Sequence, residues 1–188
     1  MKIVGVDPSL RNFGIVKADL DLDTLEFKVT EMLLVESESQ SKKLKTVRKN
    51  SDDLRRARAL YEGFQEACQG AWMAFVEVPV GSQSARAMAS YGMCVGVLAS
   101  CPIAMVQVTP AEVKMAGTGI KTATKDEMIQ AAVALHPYAD WMMRKNKGEL
   151  VLMNDNEHLA DALFAIKAGL KTDEFKAAVG VARSLKSA

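Results

Sequence analysis

Three acidic residues occupy positions where an unpaired charge would be costly. Asp7 and Glu77 each end a short apolar run, and Asp161 lies inside the apolar helical stretch 158–166. A charge in apolar surroundings is unfavourable unless something pairs with it. Carboxylate oxygens are the ligands that hard divalent cations such as Mg2+ prefer. The sequence therefore predicts that two strands and one helix converge on an oxygen-ligand pocket for such cations.

Each of these residues has a simpler interpretation when it is taken alone. Asp7 could begin a turn, and Glu77 could be a surface charge at the end of a strand. His158 shares a helical face with Asp161, three residues later, but could also be an exposed histidine. The metal-site interpretation depends on the combination, because an unpaired carboxylate such as Asp161 is rare inside an apolar helix. Glu157 points about 100° away from His158 and is expected to supply helix N-terminal charge.

The order of predicted strands is that of a mixed α/β domain. Strand-like patterns occur at residues 2–7, 13–18, 24–35, 72–78 and 103–108. The first three are expected to form an antiparallel meander, and helices separate the later ones. The first, fourth and fifth strands are the most apolar, so they are expected to be central and parallel, with right-handed crossovers. Neighbouring first and fourth strands would bring Asp7 and Glu77 together.

Helix signals define the remaining elements. Helices are expected at residues 52–69, 84–100, from 109 onward, 124–135 and 154–170, followed by a weaker helical tail. Capping boxes begin at Thr109 and Thr124, and Ser51 is expected to cap the first helix. Its buried stripe is predicted to contain Leu54, Ala57, Leu60, Tyr61, Phe64 and Cys68. The polar stretch 144–148 is expected to be irregular and mobile.

The helix at residues 84–100 carries small residues at three- and four-residue spacing. They are Ala85, Ala89, Gly92, Gly96 and Ala99. Glycine inside a helix costs about 1 kcal/mol relative to alanine, so two glycines indicate a close approach by another backbone. Packing on the sheet and contact with a second copy of the chain explain this pattern equally well.

Composition indicates one globular domain spanning residues 1–188. The chain is 49% hydrophobic and 25% charged, and no apolar run reaches the roughly 18 residues that a membrane span requires. The first strand follows Met1 directly, without a secretory pattern. Cys68, Cys94 and Cys101 lie in apolar stretches without metal-ligand spacing, which predicts buried free thiols. A cytoplasmic protein is expected.

The near-neutral net charge of +1 conceals a strong asymmetry. Residues 1–41 contain eight acidic and four basic residues, whereas residues 42–58 contain eight basic and two acidic residues. A local basic block indicates a polyanion partner on one surface. A solvated helix face is an equally good explanation of charge alone.

Several motifs together resemble those of one nuclease family. Residues 5–14, GVDPSLRNFG, resemble the opening of a RuvC-type Holliday junction resolvase, a nuclease of ribonuclease H-like fold. The family's second acidic strand, small-residue helix, lysine-bearing segment and last acidic motif are matched, in order, at residues 75–77, 84–98, 113–125 and 158–163. The resemblance covers most of the chain. It implies a five-stranded mixed sheet, an antiparallel meander plus two parallel strands, flanked by helices.

The resemblance also implies an activity and a set of site residues. It implies a homodimer in which each active site cuts one strand of a four-way DNA junction, giving symmetric, ligatable nicks. Two Mg2+ ions would be held in each site, and Mn2+ is expected to substitute. The implied metal ligands are Asp7, Glu77, His158 and Asp161. Lys114 and Lys125 would neutralise the scissile phosphate or the developing charge.

The sequence departs from the family pattern in three places. Many members carry an aromatic residue after the second acid, where this chain has residues 78–80, Val-Pro-Val. The basic segment 42–58 and the region 137–156 are also longer than usual, which favours looser selection among branched DNAs. Candidate DNA contacts are Lys42, Lys43, Lys45, Arg48, Lys49, Arg55, Lys121, Arg144, Lys145 and Lys147. Such a compact, divergent member fits a phage-encoded enzyme acting in a bacterial or infected-host cytoplasm.

Two alternatives remain open at this point. One keeps the fold but makes the enzyme a flap or broader branched-DNA nuclease, or a ribonuclease. The other is a junction-binding protein without turnover, which the complete acidic set disfavours. Related sugar kinases and actin-like ATPases share the first motif, but they need a duplicated domain that this length excludes.

Overall fold

A five-stranded mixed sheet forms the centre of the computed structural model, which describes residues 1–40 and 46–186. Its order is β3-β2-β1-β4-β5, and β6 and β7 pair separately. The strands are β1 (Lys2–Asp7), β2 (Asn12–Leu20), β3 (Phe27–Glu36), β4 (Met73–Glu77), β5 (Ala104–Val108), β6 (Met143–Asn146) and β7 (Glu149–Leu152). The helices are α1 (Lys49–Cys68), α2 (Ala85–Leu98), α3 (Pro110–Thr118), α4 (Lys125–Leu135), α5 (Asn156–Gly169) and α6 (Asp173–Lys186).

Strand pairing confirms the predicted antiparallel meander followed by two parallel strands. β2 pairs antiparallel with β1 and with β3, whereas β4 pairs parallel with β1 and with β5. The prediction that β5 is central is wrong, because β5 is the edge of this sheet. Only Val106 and Val108 of β5 are fully buried, as expected for a strand with one open edge.

Both predicted capping boxes are confirmed. Thr109 and Thr124 are the N-caps of α3 and α4, and each side-chain oxygen accepts a hydrogen bond from the backbone N–H three residues later. Glu112 and Glu127 complete the boxes by accepting from the N-cap backbone N–H at 2.7 Å in each case. These bonds fix where the two lysine-bearing helices begin.

Helix α1 departs from its predicted start and from its predicted buried face. Its N-cap is Arg48, without a side-chain cap, and Ser51 lies exposed within the first turn. Leu54 and Tyr61 are 65% and 45% exposed. The predicted stripe is wrong at these two positions because the N-terminal half of α1 buries charged residues instead.

A buried ion network takes the place of that apolar stripe. Arg56 donates to the carbonyl oxygens of Ser37 at 2.8 Å and Leu10 at 3.3 Å. Asp53 accepts two hydrogen bonds from Arg86 of α2, at 2.5 and 2.6 Å. These bonds from Arg86 keep the pKa of Asp53 below its ordinary value. The network fastens the turn that follows Asp7 to both helices.

Helix α5 crosses the sheet at very short distance. Its residues 162–166 are fully buried, and it packs where Gly5 of β1 and Gly14 of β2 provide space. A Cβ atom at Gly5 would overlap the carbonyl oxygen of Ala162, and one at Gly14 would overlap the backbone of His158. The two glycines therefore set how closely the His158 turn approaches the end of β1.

The small-residue face of α2 does not pack on the sheet. Every residue of that face is exposed, and a Cβ atom at Gly92 or Gly96 would meet nothing within 4 Å. The helix instead packs through Cys94, Val97 and Leu98. The sheet-packing interpretation is therefore wrong, and contact with a second copy stays a prediction.

The region expected to be irregular contains a β-hairpin. β6 and β7 pair in register through residues Lys147 and Gly148, whose φ angles are 49° and 92°. Two positive φ angles define the turn type that suits tight hairpins, and glycine at the second position is its usual sequence signal. The prediction missed the hairpin because β6, with the sequence MRKN, is poor in strand-forming residues.

The cysteine prediction is confirmed. Cys68 and Cys94 are buried, Cys101 is half-buried, and all three are free. Burial raises the pKa of both Cys68 and Cys94 to about 12, so neither is a reactive thiolate near neutral pH. Within the described parts of the chain, no helix has the length and apolar content needed to cross a membrane.

The approach of α5 to the sheet yields a matched pair of glycine substitutions. Gly14→Ala is expected to lower the free energy of unfolding by about 2 kcal/mol or more, because its Cβ meets backbone that rotamer changes cannot move. Gly180→Ala, in the open interior of α6, is expected to raise it by up to about 1 kcal/mol. Urea unfolding checks both, and equal effects would contradict the packing described for Gly14.

Candidate active site

The three predicted carboxylates meet at one end of the sheet. β1 and β4 are adjacent and parallel, with Val6 opposite Val76, so Asp7 and Glu77 lie together at the carboxyl ends of these strands. Helix α5 places His158 and Asp161, which share one helical face, at the same end of the sheet. All four residues line a single open pocket of about 310 Å³.

Two lysines complete the predicted set in the same pocket. Lys114 of α3 is half-buried, and Lys125 at the start of α4 is exposed, and both contribute to the pocket wall. Glu157, Ser9 and Tyr91 also line it. The structure thus brings together all six residues proposed for catalysis, although their roles stay predictions. Lys121 is exposed and does not line this pocket.

Asp7 and His158 form a close pair across the pocket floor. His158 Nδ1 and Asp7 Oδ2 share a hydrogen bond of 2.6 Å, and His158 Nε2 lies 3.4 Å from Glu157 Oε1. Burial raises the pKa of Asp7, and the hydrogen bond from His158 offsets part of that effect. Burial lowers the pKa of His158, but contact with Asp7 and nearby carboxylates outweighs burial and raises it overall. The imidazole therefore tends to hold a proton and to act as counter-charge for the acids.

Glu77 and Asp161 lack an equivalent partner. Burial, together with the charges of Asp7 and Asp161, raises the pKa of Glu77 to about 8. Burial and the charge of Asp7 raise the pKa of Asp161 to about 7. Lys114 lies near enough to oppose both shifts. Asp161 Oδ1 is buried and has no hydrogen-bond partner among the described residues. Buried groups left in this state usually mark an unfilled requirement for an ion or a water.

The donor set fits a hard divalent cation. Three carboxylates share a pocket in which they are largely buried, and Asp161 Oδ1 is a buried oxygen without a hydrogen-bond partner among the described residues. In the described part of the chain, no three His, Cys, Asp or Glu side chains are arranged to hold an ion as they stand.

Glu157 lines the pocket, although its sequence position predicts only a charge at the N-terminus of the helix. It lies in the first turn of α5, as expected for helix N-terminal charge, yet its side chain is only 17% exposed. Its two carboxylate oxygens lie 2.6 and 2.9 Å from Lys125 Nζ. The expected separation of Glu157 from His158 is wrong, because its carboxylate reaches within 3.4 Å of His158 Nε2. Packing of α4 beside α5 also brings Lys125 to it. No local sequence signal reports that packing.

The predicted DNA-contacting cations divide into three groups. Lys42, Lys43 and Lys45 lie outside the described residues. Arg48 and Lys49 are exposed, whereas Arg55 donates to the Glu38 carbonyl at 2.6 Å and pairs with Asp52 at 2.9 Å. Part of the basic block is therefore committed to intramolecular contacts. The third group, Arg144, Lys145 and Lys147, is exposed on the β6–β7 hairpin, and Lys121, which belongs to none of the three groups, is exposed as well.

The sheet order and the crossing of α5 define the ribonuclease H-like fold in the form that RuvC-type resolvases have. Comparison with solved structures establishes this. The chain is similar to Thermus thermophilus RuvC in complex with Holliday junction substrate, at a TM-score of 0.60 and 18% identity over 96% of each chain. A second structure of the same protein gives a TM-score of 0.59, covering 96% of this chain and 97% of that one.

A viral protein shares the same fold. Fowlpox virus resolvase in complex with Holliday junction DNA gives a TM-score of 0.51 and 14% identity, over 95% of this chain and 99% of that one. No protein-family model matches the chain, and no curated protein matches it. The predicted fold is thereby confirmed, and the phage origin stays a prediction.

The raised carboxylate pKa values yield a prediction on stability without metal. With a pKa of about 8 when folded and 4.5 when unfolded, Glu77 makes the native state bind more protons, so stability falls as pH rises between these values. In chelator, Glu77→Gln is expected to stabilise the protein by about 1–3 kcal/mol at about pH 8.5 and by much less at about pH 5.5.

Thermal or urea unfolding across that pH range measures this effect. The exposed Glu62→Gln of α1 serves as the matched control and is expected to change little at either pH. A Glu77→Gln variant that is less stable than the wild type at about pH 8.5 would contradict the described repulsion among the carboxylates.

Proposed function

We propose that this protein is a divalent-metal-dependent DNA endonuclease that resolves four-way junctions by paired, symmetric nicks. The observation that supports it is a pocket in which three carboxylates, one with an orphaned buried oxygen, face two lysines. This pocket lies on the fold that Thermus thermophilus RuvC has in a complex with Holliday junction substrate. Residues 1–188 would form one nuclease domain and act as a homodimer, so that two pockets can cut two strands.

The metal ligands of the proposal are Asp7, Glu77 and Asp161, with His158 completing the set. Two Mg2+ ions per site, which Mn2+ would replace, supply activation of the attacking water and charge stabilisation at the leaving oxygen. Both carboxylates, Glu77 and Asp161, must be ionised to bind the ions. The bound ions would neutralise the repulsion between the two carboxylates, and this gain would drive ion uptake. The orphaned oxygen of Asp161 would gain its missing partner in the same step.

His158 would have two roles in this proposal. Its 2.6 Å contact with Asp7 orients that side chain, and its charge when protonated would balance the carboxylate. In its neutral form the imidazole would complete the set of metal ligands.

The two lysines would act on the phosphate rather than on the metal. Lys114 is half-buried beside Glu77 and Asp161, a location from which its ammonium would stabilise charge developing on a bound phosphate. Lys125 is 76% exposed and is held by Glu157. Glu157 thus positions Lys125 at the pocket mouth until a phosphate competes for it.

Binding would be mainly electrostatic and would weaken steeply with salt. The proposed DNA contacts are Lys42, Lys43, Lys45, Arg48, Lys49, Lys121, Arg144, Lys145 and Lys147. Arg55 would join them only by exchanging its contacts with Glu38 and Asp52 for a phosphate. Val80, three residues past the end of β4, is 78% exposed in the region where many family members carry an aromatic residue. An aliphatic side chain stacks poorly on bases, so DNA shape would dominate substrate choice. A cytoplasmic location stays a prediction.

The testing experiment compares four substrates in Mg2+: a mobile four-way junction, plain duplex, a flap and an RNA–DNA hybrid. The wild type is expected to give paired, symmetric nicks confined to the junction. Asp7→Asn is expected to reduce cleavage by more than about 100-fold. This loss is larger than the one usually caused by changing a residue that supports a metal ligand without binding the metal. Asp19→Asn, the same change at an exposed position of β2, is the matched control and is expected to cut normally.

Each other outcome selects a different function. Preferred cutting of the flap or hybrid, with the same dependence on Asp7, would retain the metal site and overturn the resolvase assignment. Tight junction binding without any cutting, unchanged by metal removal, would identify a binding protein.

A further inference from the structure

The β6–β7 hairpin forms a ribbon that stands apart from the central sheet. Its two strands pair only with each other. Every residue of β6 is exposed, and β7 is exposed in its first half and half-buried in its second. A two-stranded ribbon has little core of its own, so a partner that covers it would add stability.

The charge of the ribbon identifies the chemistry of that partner. Arg144, Lys145 and Lys147 are opposed by one acid, Glu149, and none of the three cations makes an ion pair with another described residue. In contrast, Arg55 is committed to Asp52. Like charge disfavours docking of a second copy of this ribbon. A polyanion such as DNA is complementary to it.

The register distributes these cations around the ribbon. Lys145 lies opposite Leu150, and Arg144 lies opposite Val151, so the two cations occupy opposite faces. Lys147 lies at the tip, in the turn. Cations on both faces and at the tip would match a groove that has phosphates on two sides. Leu150 is 64% exposed on the same face as Lys145 and adds apolar surface to that face.

The base of the ribbon is anchored beside the candidate active site. The buried side chain of Asn156 accepts from Met142 N at 2.9 Å, and donates to the carbonyl oxygens of Met142 at 2.8 Å and Met153 at 3.0 Å. Asn156 begins α5, and His158 follows two residues later, about 3 Å along the helix axis. DNA that places a phosphate in the pocket therefore passes close to the ribbon base.

We propose that the ribbon inserts into the major groove of a duplex arm next to the cleavage site. The major groove, about 12 Å wide, admits a two-stranded β-ribbon between its phosphate walls. Four residues of strand span about 13 Å, which corresponds to about four base pairs. This inference rests on the proposed function for its DNA substrate, but it assigns the ribbon to arm recognition rather than to catalysis.

Guanine N7 methylation by dimethyl sulfate tests the proposal directly, because N7 lies in the major groove. The Asp7→Asn protein is bound to a junction in chelator, so that the DNA stays intact. Protection of N7 is expected over about four base pairs of one arm per protomer. It is expected to disappear when Arg144, Lys145 and Lys147 are all changed to alanine.

Affinity measurements accompany the footprint. The triple alanine variant is expected to bind about tenfold more weakly, and the slope of log affinity against log salt is expected to fall by about 2–3, near 0.9 per lost phosphate contact. The matched control, Lys2→Ala/Lys171→Ala/Lys176→Ala, removes equal charge at exposed positions at the start of β1, just past the end of α5 and in the first turn of α6. It is expected to keep the protection and most of the slope.

A charge-preserving variant, Arg144→Lys/Lys145→Arg/Lys147→Arg, separates lost contacts from a misfolded ribbon and is expected to keep the protection. The ribbon proposal would be overturned if the triple alanine variant still protected N7 as the wild type does. It would also be overturned if the control variant lost as much N7 protection as the triple alanine variant. If the wild type cuts no DNA while ribbon-dependent protection is present, the ribbon proposal holds and the proposed nuclease function fails.

Discussion

Repulsion among buried carboxylates is the constraint on which the rest of this structure depends. Asp7, Glu77 and Asp161 share one poorly solvated pocket, where each charge raises the cost of ionising the others. His158, whose pKa is raised by contact with Asp7, and the nearby charge of Lys114 offset part of this cost. Asp161 Oδ1 still has no hydrogen-bond partner among the described residues. Such a site is destabilising by itself, and bound cations would make it favourable.

The scaffold keeps the carboxylates from relaxing apart. Adjacent parallel strands fix the backbones of Asp7 and Glu77, and the absence of a side chain at Gly14 lets the His158 turn lie directly on the sheet. On the other side, Arg56 holds the turn after Asp7 through the Leu10 carbonyl. Because the backbone is constrained on these sides, rearrangement of the fold can relieve little of the repulsion. Protons relieve it near neutral pH, and bound cations would relieve it in the proposed metal site.

The order of the sheet strands and the residues of the site can be predicted because local sequence patterns indicate them. Apolar runs ending in an acid located Asp7 and Glu77, and the three-residue spacing on one helix paired His158 with Asp161. What these patterns missed depends on contacts between distant segments. Leu54 was assigned to the core because the buried Asp53–Arg86 pair has no periodic signature. Glu157 was assigned to the helix end because the partner that brings it into the pocket, Lys125, is 32 residues away.

The proposed metal site predicts that ion uptake is coupled to proton release. Calorimetric titration of Mn2+ into wild type and Asp161→Asn, at about pH 7 in two buffers of different ionisation enthalpy, measures affinity and released protons together. With pKa values of about 8 for Glu77 and about 7 for Asp161, the wild type is expected to release protons as it binds. Asp161→Asn is expected to bind at least about tenfold more weakly and to release fewer protons. Equal affinity in the two proteins, or binding without proton release, would contradict the account.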